Sequence, residues 1–197
     1  MGWISKRAVV GHRARSAALA TVVVAGAVAA LSGPAAPPAW AASTSVDAFG
    51  SAAAVNAASP TGLQAPVVGI ATTPDGNGYW VTTSAGEVGA AGDAPPLGSA
   101  AGMSLTAPVV GMAATPDGGG YRLAAADGGV FTYGDAHFYG SGGGLRLAAP
   151  VVSLTTTPDG GGYRMAAADG GVFDFGDAAY EGSALGYAPA APIVALG

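Results

Sequence analysis

The sequence predicts an all-β chain of tandem four-stranded sheets, and three observations carry that reading. Glycine supplies 34 and proline 14 of the 197 residues, so about one residue in four breaks a regular helix. Half the chain is apolar and mean hydropathy is positive, +0.43, which separates it from disordered chains of similar glycine content. Finally, the chain repeats itself. Ala-Pro-Val-Val begins at Ala65, Ala107 and Ala149, and Ala-Pro-Ile-Val begins at Ala191, at intervals of 42 residues throughout.

The N-terminal 41 residues read as an export signal. Lys6, Arg7, Arg13 and Arg15 precede a 15-residue apolar run, Ala17 to Leu31, and Ala39-Trp40-Ala41 offers small residues for cleavage. The run is shorter than the roughly 20 residues that span a bilayer, and it is mostly alanine and valine. No adjacent arginine pair points to the twin-arginine route. With no cysteine, no disulfide can brace the fold. Residues 42–64 form a linker in which Asp47-Ala48-Phe49-Gly50-Ser51 weakly echoes the end of a repeat, a candidate extra outer strand.

Beyond the signal the chain carries three arginines against twelve acids, a net of −9, and no lysine. Nucleic acid and charge-driven membrane attachment are excluded as partners, because both need clustered Lys and Arg.

Three units follow, 65–106, 107–148 and 149–190, then Ala191–Gly197 as the first strand of a fourth. Thr-Pro-Asp-Gly, Gly-Tyr, Gly-Asp-Ala and Gly-Ser recur in phase in each. A period near 42 fits helical repeats or four-stranded propeller blades. The turn dipeptides lie too close together for packed helices, and the runs between them are strand-length: Val109–Ala114, Tyr121–Ala126, Val130–Tyr133 and His137–Tyr139. Asp127-Gly128 and Asp169-Gly170 read as type I′ hairpin turns. Alanine on both alternating sets of Tyr121–Ala126 suits a sheet covered on both faces. The expected architecture is therefore three propeller-like blades plus one strand, an incomplete ring.

The first unit departs from the others. Gly89 and Ala91 replace aromatics, and Pro95-Pro96 stands where the others have His137-Phe138 and Ala179-Tyr180. Its outer strands are expected to be poor or absent. The C-terminal strand, apolar and without a partner in its own unit, is expected to pair with another chain and complete a ring as a homo-oligomer.

The pattern Pro-Val-Val-Gly-x-x-x-Thr-Pro-Asp-Gly-Gly-Gly-Tyr, then Asp-Gly-Gly-Val-Phe-x-[Tyr/Phe]-Gly-Asp-Ala and Gly-Ser, resembles a repeat of secreted actinobacterial-type proteins. That repeat typically occurs in tandem, often beside cell-wall hydrolases, peptidases or esterases, and is taken to be propeller-like. The resemblance covers Ala65–Gly197. Units of that family usually carry Tyr-Trp after the glycine-rich turn. Tyr79-Trp80 keeps it, whereas Tyr121-Arg122 and Tyr163-Arg164 depart.

Catalytic chemistry finds little footing. His137 is the only histidine beyond the signal, no Gly-x-Ser-x-Gly elbow accompanies it, and it reads as a strand-surface residue. Zinc lacks ligands. Most aspartates sit beside glycine in turns, where they cap their own backbone. Calcium is the one ion with oxygen ligands of the right type, at Asp127, Asp135, Asp169, Asp174 and Asp177, although their spacing matches neither the EF-hand nor the nonapeptide β-roll; no cofactor is expected. Trp80, Arg122 and Arg164 occupy one repeat position on the face opposite Tyr and Leu/Met. Two readings stand for them: an interblade Arg–Asp pair, or a shallow groove that stacks on sugars or grips acidic groups.

The sequence thus points to a secreted, non-catalytic binding module for extracellular glycan or an exported protein. The alternatives are a propeller-type hydrolase or lyase, and an accessory fragment of a larger cell-wall enzyme. N-terminal sequencing of secreted protein is expected to show cleavage at Ala41 or Ala42; intact Met1 in the membrane fraction would make the signal an anchor.

Overall fold

A computed structural model describes residues 62–185 and 191–196, and among these all regular structure is β-strand. The signal, its cleavage site and most of the linker, including the Asp47–Ser51 echo, lie outside the described residues. Nine strands fall in three groups: β1 (Val67–Thr72), β2 (Gly78–Thr83) and β3 (Val88–Gly92); β4 (Val109–Ala114), β5 (Gly120–Ala125) and β6 (Val130–Gly134); β7 (Val151–Thr156), β8 (Gly162–Ala167) and β9 (Val172–Gly176). Corresponding strands begin 42 residues apart. Each group is one antiparallel sheet with its strands in chain order.

Turn chemistry makes the meander. Thr73-Pro74-Asp75-Gly76 closes β1 onto β2 through the Gly76 N–H to the Thr73 carbonyl, 3.0 Å, with proline at the position that wants its fixed φ. The next turn differs from the expected type I′ hairpin. Gly128 N–H donates to the Ala125 carbonyl at 2.9 Å, closing a four-residue turn, and Gly128 then takes the left-handed conformation, φ 86°. This three-residue connection needs one positive-φ residue where type I′ needs two. Asp127 Oδ1 accepts the Gly129 N–H at 2.9 Å, so the aspartate caps its own turn.

The blades are three-stranded, not four-stranded, in regular structure. After β6, Gly134 turns left-handed (φ 65°) and Asp135 N–H bonds back to the Gly119 carbonyl at 3.1 Å, steering the chain off the edge of β6. The run His137–Tyr139 then lies beside the sheet without a backbone ladder. The first unit corrects a second expectation. Its β3 forms and pairs with β2 over the same five positions as its counterparts, because the ladder is a backbone structure that Gly89 and Ala91 leave intact. Pro95-Pro96 falls in the run that ladders in no unit.

The core lies between sheets. One cluster joins Trp80 of the first unit to Val109, Met112, Tyr121 and Leu123 of the second, and another joins Ala124 to Val151, Leu154, Tyr163 and Met165. All of β5 is buried, since it has a sheet on either side. Segment 191–196 forms no strand. It rests on its own third unit: Ile193 N–H donates to the Ala168 carbonyl at 3.0 Å, as Val109 does to Ser84 and Val151 to Ala126. Residues 191–196 thus take up the inner-strand position of a fourth unit in register, against the third unit of the same chain.

A Cβ at Gly134 would lie 2.2 Å from the Gly119 carbonyl oxygen, whereas one at Gly144 (φ 92°) would meet nothing within 4 Å. Both alanine substitutions carry the left-handed penalty of about 1 kcal/mol, and Gly134→Ala adds a clash that brings it to about 3 kcal/mol or more. Urea denaturation of the two variants should separate them by that difference.

Candidate functional site

Trp80, Arg122 and Arg164 stand at one place in three successive sheets, and each donates to the same acceptor of its own unit. Trp80 Nε1–H reaches the Pro95 carbonyl at 2.8 Å, Arg122 Nε the His137 carbonyl at 3.1 Å, and Arg164 Nη2 the Ala179 carbonyl at 2.6 Å. Indole and guanidinium are both flat groups with an in-plane N–H, so one can replace the other in this role. The side chain holds the post-β3, post-β6 or post-β9 segment against the central strand. This is why those segments need no ladder.

Their surroundings differ. Trp80 is fully buried in the first seam, its ring 5.6 Å from that of Tyr121. Arg122, 1% exposed, fills the second seam. Its Nη1 donates to Thr156 Oγ1 at 3.3 Å and its Nη2 to the Gly160 carbonyl at 3.4 Å, and its guanidinium lies over the rings of Tyr163 (5.1 Å) and Tyr139 (5.7 Å). The expected interblade Arg–Asp pair is therefore absent at Arg122, where neutral oxygens and two π faces take the carboxylate's place. Burial pushes the Arg122 pKa down, and Tyr163, Tyr139 and Asp135 oppose that shift. Arg164 does pair with an aspartate, within its own sheet: Nε to Asp174 Oδ1 is 2.8 Å, and Nη2 lies 3.7 Å from Glu181. Trp80 and Arg122 are thus closed to ligands, and Arg164 stands on an outer face.

The partner of each seam residue is a tyrosine, which the sequence placed only on the opposite face of its strand. Tyr121 OH donates to the Gly98 carbonyl, and Tyr163 OH to the Gly140 carbonyl, each in the preceding unit. Burial, with Tyr133 nearby, pushes the Tyr121 pKa up to about 12, so the hydroxyl keeps its proton and remains a donor. The signal was legible: Gly-Ser recurs in phase with Gly-Tyr.

The aspartates named as calcium ligands are engaged separately. Asp127 and Asp169 accept from Gly129 and Gly171, Asp135 and Asp177 from Thr115 and Thr157, and Asp174 from Arg164. Among the described residues no three His, Asp or Glu converge as a metal cage. His137 is exposed, its ring 6.0 Å from Tyr139. An open groove of about 520 Å³ runs under the crossover from Leu145 to Pro150, beside Asp127.

Outward-facing aromatics are the feature the sequence reading missed. Phe138 and Tyr180, one repeat apart, are 56% and 66% exposed. Phe138 stays exposed although the third unit is docked beside it, so this rim is separate from the seams.

No family model matches the chain, and no curated protein matches it. Among solved structures it is similar to the β-propeller domain of Cps50 (Swd1) from Myceliophteria thermophila, at 10% identity and a TM-score of 0.45. The match covers 60% of this chain and 41% of that one, so the chain spans less than half of that domain's length.

Each first turn also carries a pH-dependent element. Thr73 Oγ1 donates to Asp75 Oδ1 at 2.7 Å, and the Asn77 N–H adds a bond of 3.1 Å. These bonds, the threonine's first, hold the Asp75 pKa down at about 2, against an ordinary 3.8; Asp117 and Asp159 are lowered by Thr115 and Thr157 in the same way. A carboxylate stabilised in the folded state contributes fully above its unfolded pKa, and that contribution fades as pH falls through the folded one. Thermal melts should therefore give a Tm that drops between pH 4 and pH 2, and Asp75→Asn should reduce that drop by the first unit's share.

Proposed function

We propose that this chain is a secreted, non-catalytic β-repeat interaction module that acts outside the cell on cell-wall glycan or on an exported protein. The observation that carries the reading is the rim: two aromatic side chains, Phe138 and Tyr180, exposed at one repeat position in successive blades. Flat exposed aromatics present apolar faces to the C–H faces of sugar rings, and a row of them at repeat spacing suits a polymer that repeats as well. The charge supports a neutral ligand. A portion with twelve acids and three arginines repels anionic polymers, and two of those arginines, Arg122 and Arg164, are held by their own sheets.

The reading of residues 1–41 as an export signal supports a place outside the cell, where such glycans are. The resemblance to repeats found beside cell-wall hydrolases, peptidases and esterases points the same way. In this reading the blades contribute surface, and any bond-breaking chemistry belongs to a neighbouring protein.

Co-sedimentation with insoluble cell-wall glycan tests it. The protein lacking its signal should pellet with the glycan without releasing soluble sugar. Phe138→Ala with Tyr180→Ala should weaken binding by about tenfold or more while leaving the melting profile unchanged, since neither ring is packed in a seam. Retention of full binding by the double variant would move the contact off the rim, and no pelleting at all would leave a protein as the ligand.

A further inference from the structure

The first turn of the first unit carries a residue that its counterparts lack. Asn77 stands where the other units have Gly119 and Gly161, and Gly78 follows it. This is the one Asn-Gly step of the chain, and Asn77 is exposed on the turn that leads into β2. An asparagine before glycine is chemically labile. The Gly78 backbone nitrogen can attack the Asn77 Cγ, because glycine has no side chain to block the approach. A bond forms between that nitrogen and Cγ, the Cγ–Nδ2 bond breaks, and Nδ2 leaves as ammonia with the Gly78 proton. Water then opens the five-membered imide at either carbonyl, giving aspartate or a β-linked isoaspartate.

Every group that this reaction needs is engaged in the folded turn. The Gly78 N–H, which must lose its proton, donates to Thr73 Oγ1 at 2.9 Å, and that threonine is buried. Asn77 Nδ2, the leaving group, donates to Asp75 Oδ2 at 2.7 Å, and the Asn77 N–H donates to Asp75 Oδ1 at 3.1 Å. The Asn77 carbonyl accepts the Asp93 N–H at 3.3 Å. Gly78 also has no room to turn. A Cβ on it would lie 2.4 Å from both the Ala94 nitrogen and Asp93 Oδ1, and Gly78 pairs with Gly92 at the start of the β2–β3 ladder. The side-chain amide is tied back to Asp75, while the nitrogen that would attack it is tied to Thr73.

We propose that Asn77–Gly78 is a self-modification site, with water as its co-reactant, which the Thr73 hydroxyl guards in the folded chain and which converts when the first turn opens. Conversion does not reverse when the turn recloses. The product puts a second carboxylate where Asn77 Nδ2 served Asp75, so a donor is exchanged for a like charge. The β-linked form also adds one backbone atom just before β2, the strand that brings Trp80 to the first seam. The second and third units, with glycine at this position, cannot be marked in this way. Asp-Gly steps reach the same imide only by losing water, and return to aspartate or isoaspartate with no net change of mass.

The test follows the mass of the peptide containing residue 77 while the protein lacking its signal is kept in mildly alkaline buffer, with and without unfolding urea. The amide-to-acid mass gain should appear about tenfold or more faster in urea than in the folded protein, because the folded rate counts only local opening. Asn77→Gly should abolish the gain and keep the fold, as Gly119 and Gly161 do in their units. Thr73→Val should raise the folded-state rate about tenfold and Thr73→Ser should restore it, with hydrogen exchange of the Gly78 amide changing in step. Should Thr73→Val fail to fold, unsubstituted protein in sub-denaturing urea supplies the same comparison of conversion rate with Gly78 exchange rate. Equal rates in folded and unfolded chains, no gain at residue 77 in urea, or a rate that does not follow Gly78 exchange overturns the proposal.

Discussion

A tyrosine hydroxyl that must find an acceptor across a seam is the constraint on which the rest of this molecule depends. Tyr121 and Tyr163 bury their rings between sheets, and a buried hydroxyl without a partner would cost about 1–3 kcal/mol. Each finds the carbonyl of a glycine in the unit before it. That bond ties successive blades together beside the backbone bonds of Val109 to Ser84 and Val151 to Ala126, because the donor sits on a central strand and the acceptor on the preceding unit's outer run. The glycine follows from it. Its left-handed backbone aims the carbonyl into the seam, and the ring of Tyr133 or Phe175 lies where a side chain would stand.

The residue after each tyrosine serves the opposite direction. Side chains alternate along a strand, so a tyrosine that faces back leaves Trp80, Arg122 or Arg164 facing forward. There it binds the outer run of its own unit and, in the two closed seams, packs against the tyrosine of the next. Each seam is thus a sandwich of one flat donor and one tyrosine, and the two kinds of donor give it different electrostatics. Trp80 makes the first seam neutral. Arg122 makes the second carry a buried cation with neutral oxygens and π faces around it, a combination tolerated because guanidinium is weakly hydrated and delocalised.

Much of the fold was legible because its determinants are local. Thr-Pro-Asp-Gly and Asp-Gly-Gly specify their turns within four or five residues, so the strands between them could be placed in phase before any packing was known. The outer run was misread for a reason equally local in origin. His137–Tyr139 looks like a strand, but whether it ladders is decided upstream by the left-handed Gly134 and by the Asp135 bond to Gly119, a residue 16 positions away. The site was less legible still. Trp80, Arg122 and Arg164 hold one repeat position, yet their exposure depends on whether a further sheet follows. Phe138 and Tyr180 carried no signal of exposure, because aromatics in an alternating run read as core.

A repeat stack of this kind separates what it uses to cohere from what it can use to bind. The planar donors and tyrosines are consumed in the seams, so variation there is limited to groups that satisfy the same carbonyl, as the exchange of tryptophan for arginine illustrates. The rim has no such duty. Pro96, Phe138 and Tyr180 occupy one exposed position, and nothing in the sheet hydrogen bonding depends on which residue stands there. The end face lies between these cases. Arg164 and Asp174 are built for a seam, and among the described residues only segment 191–196 reaches toward closing one.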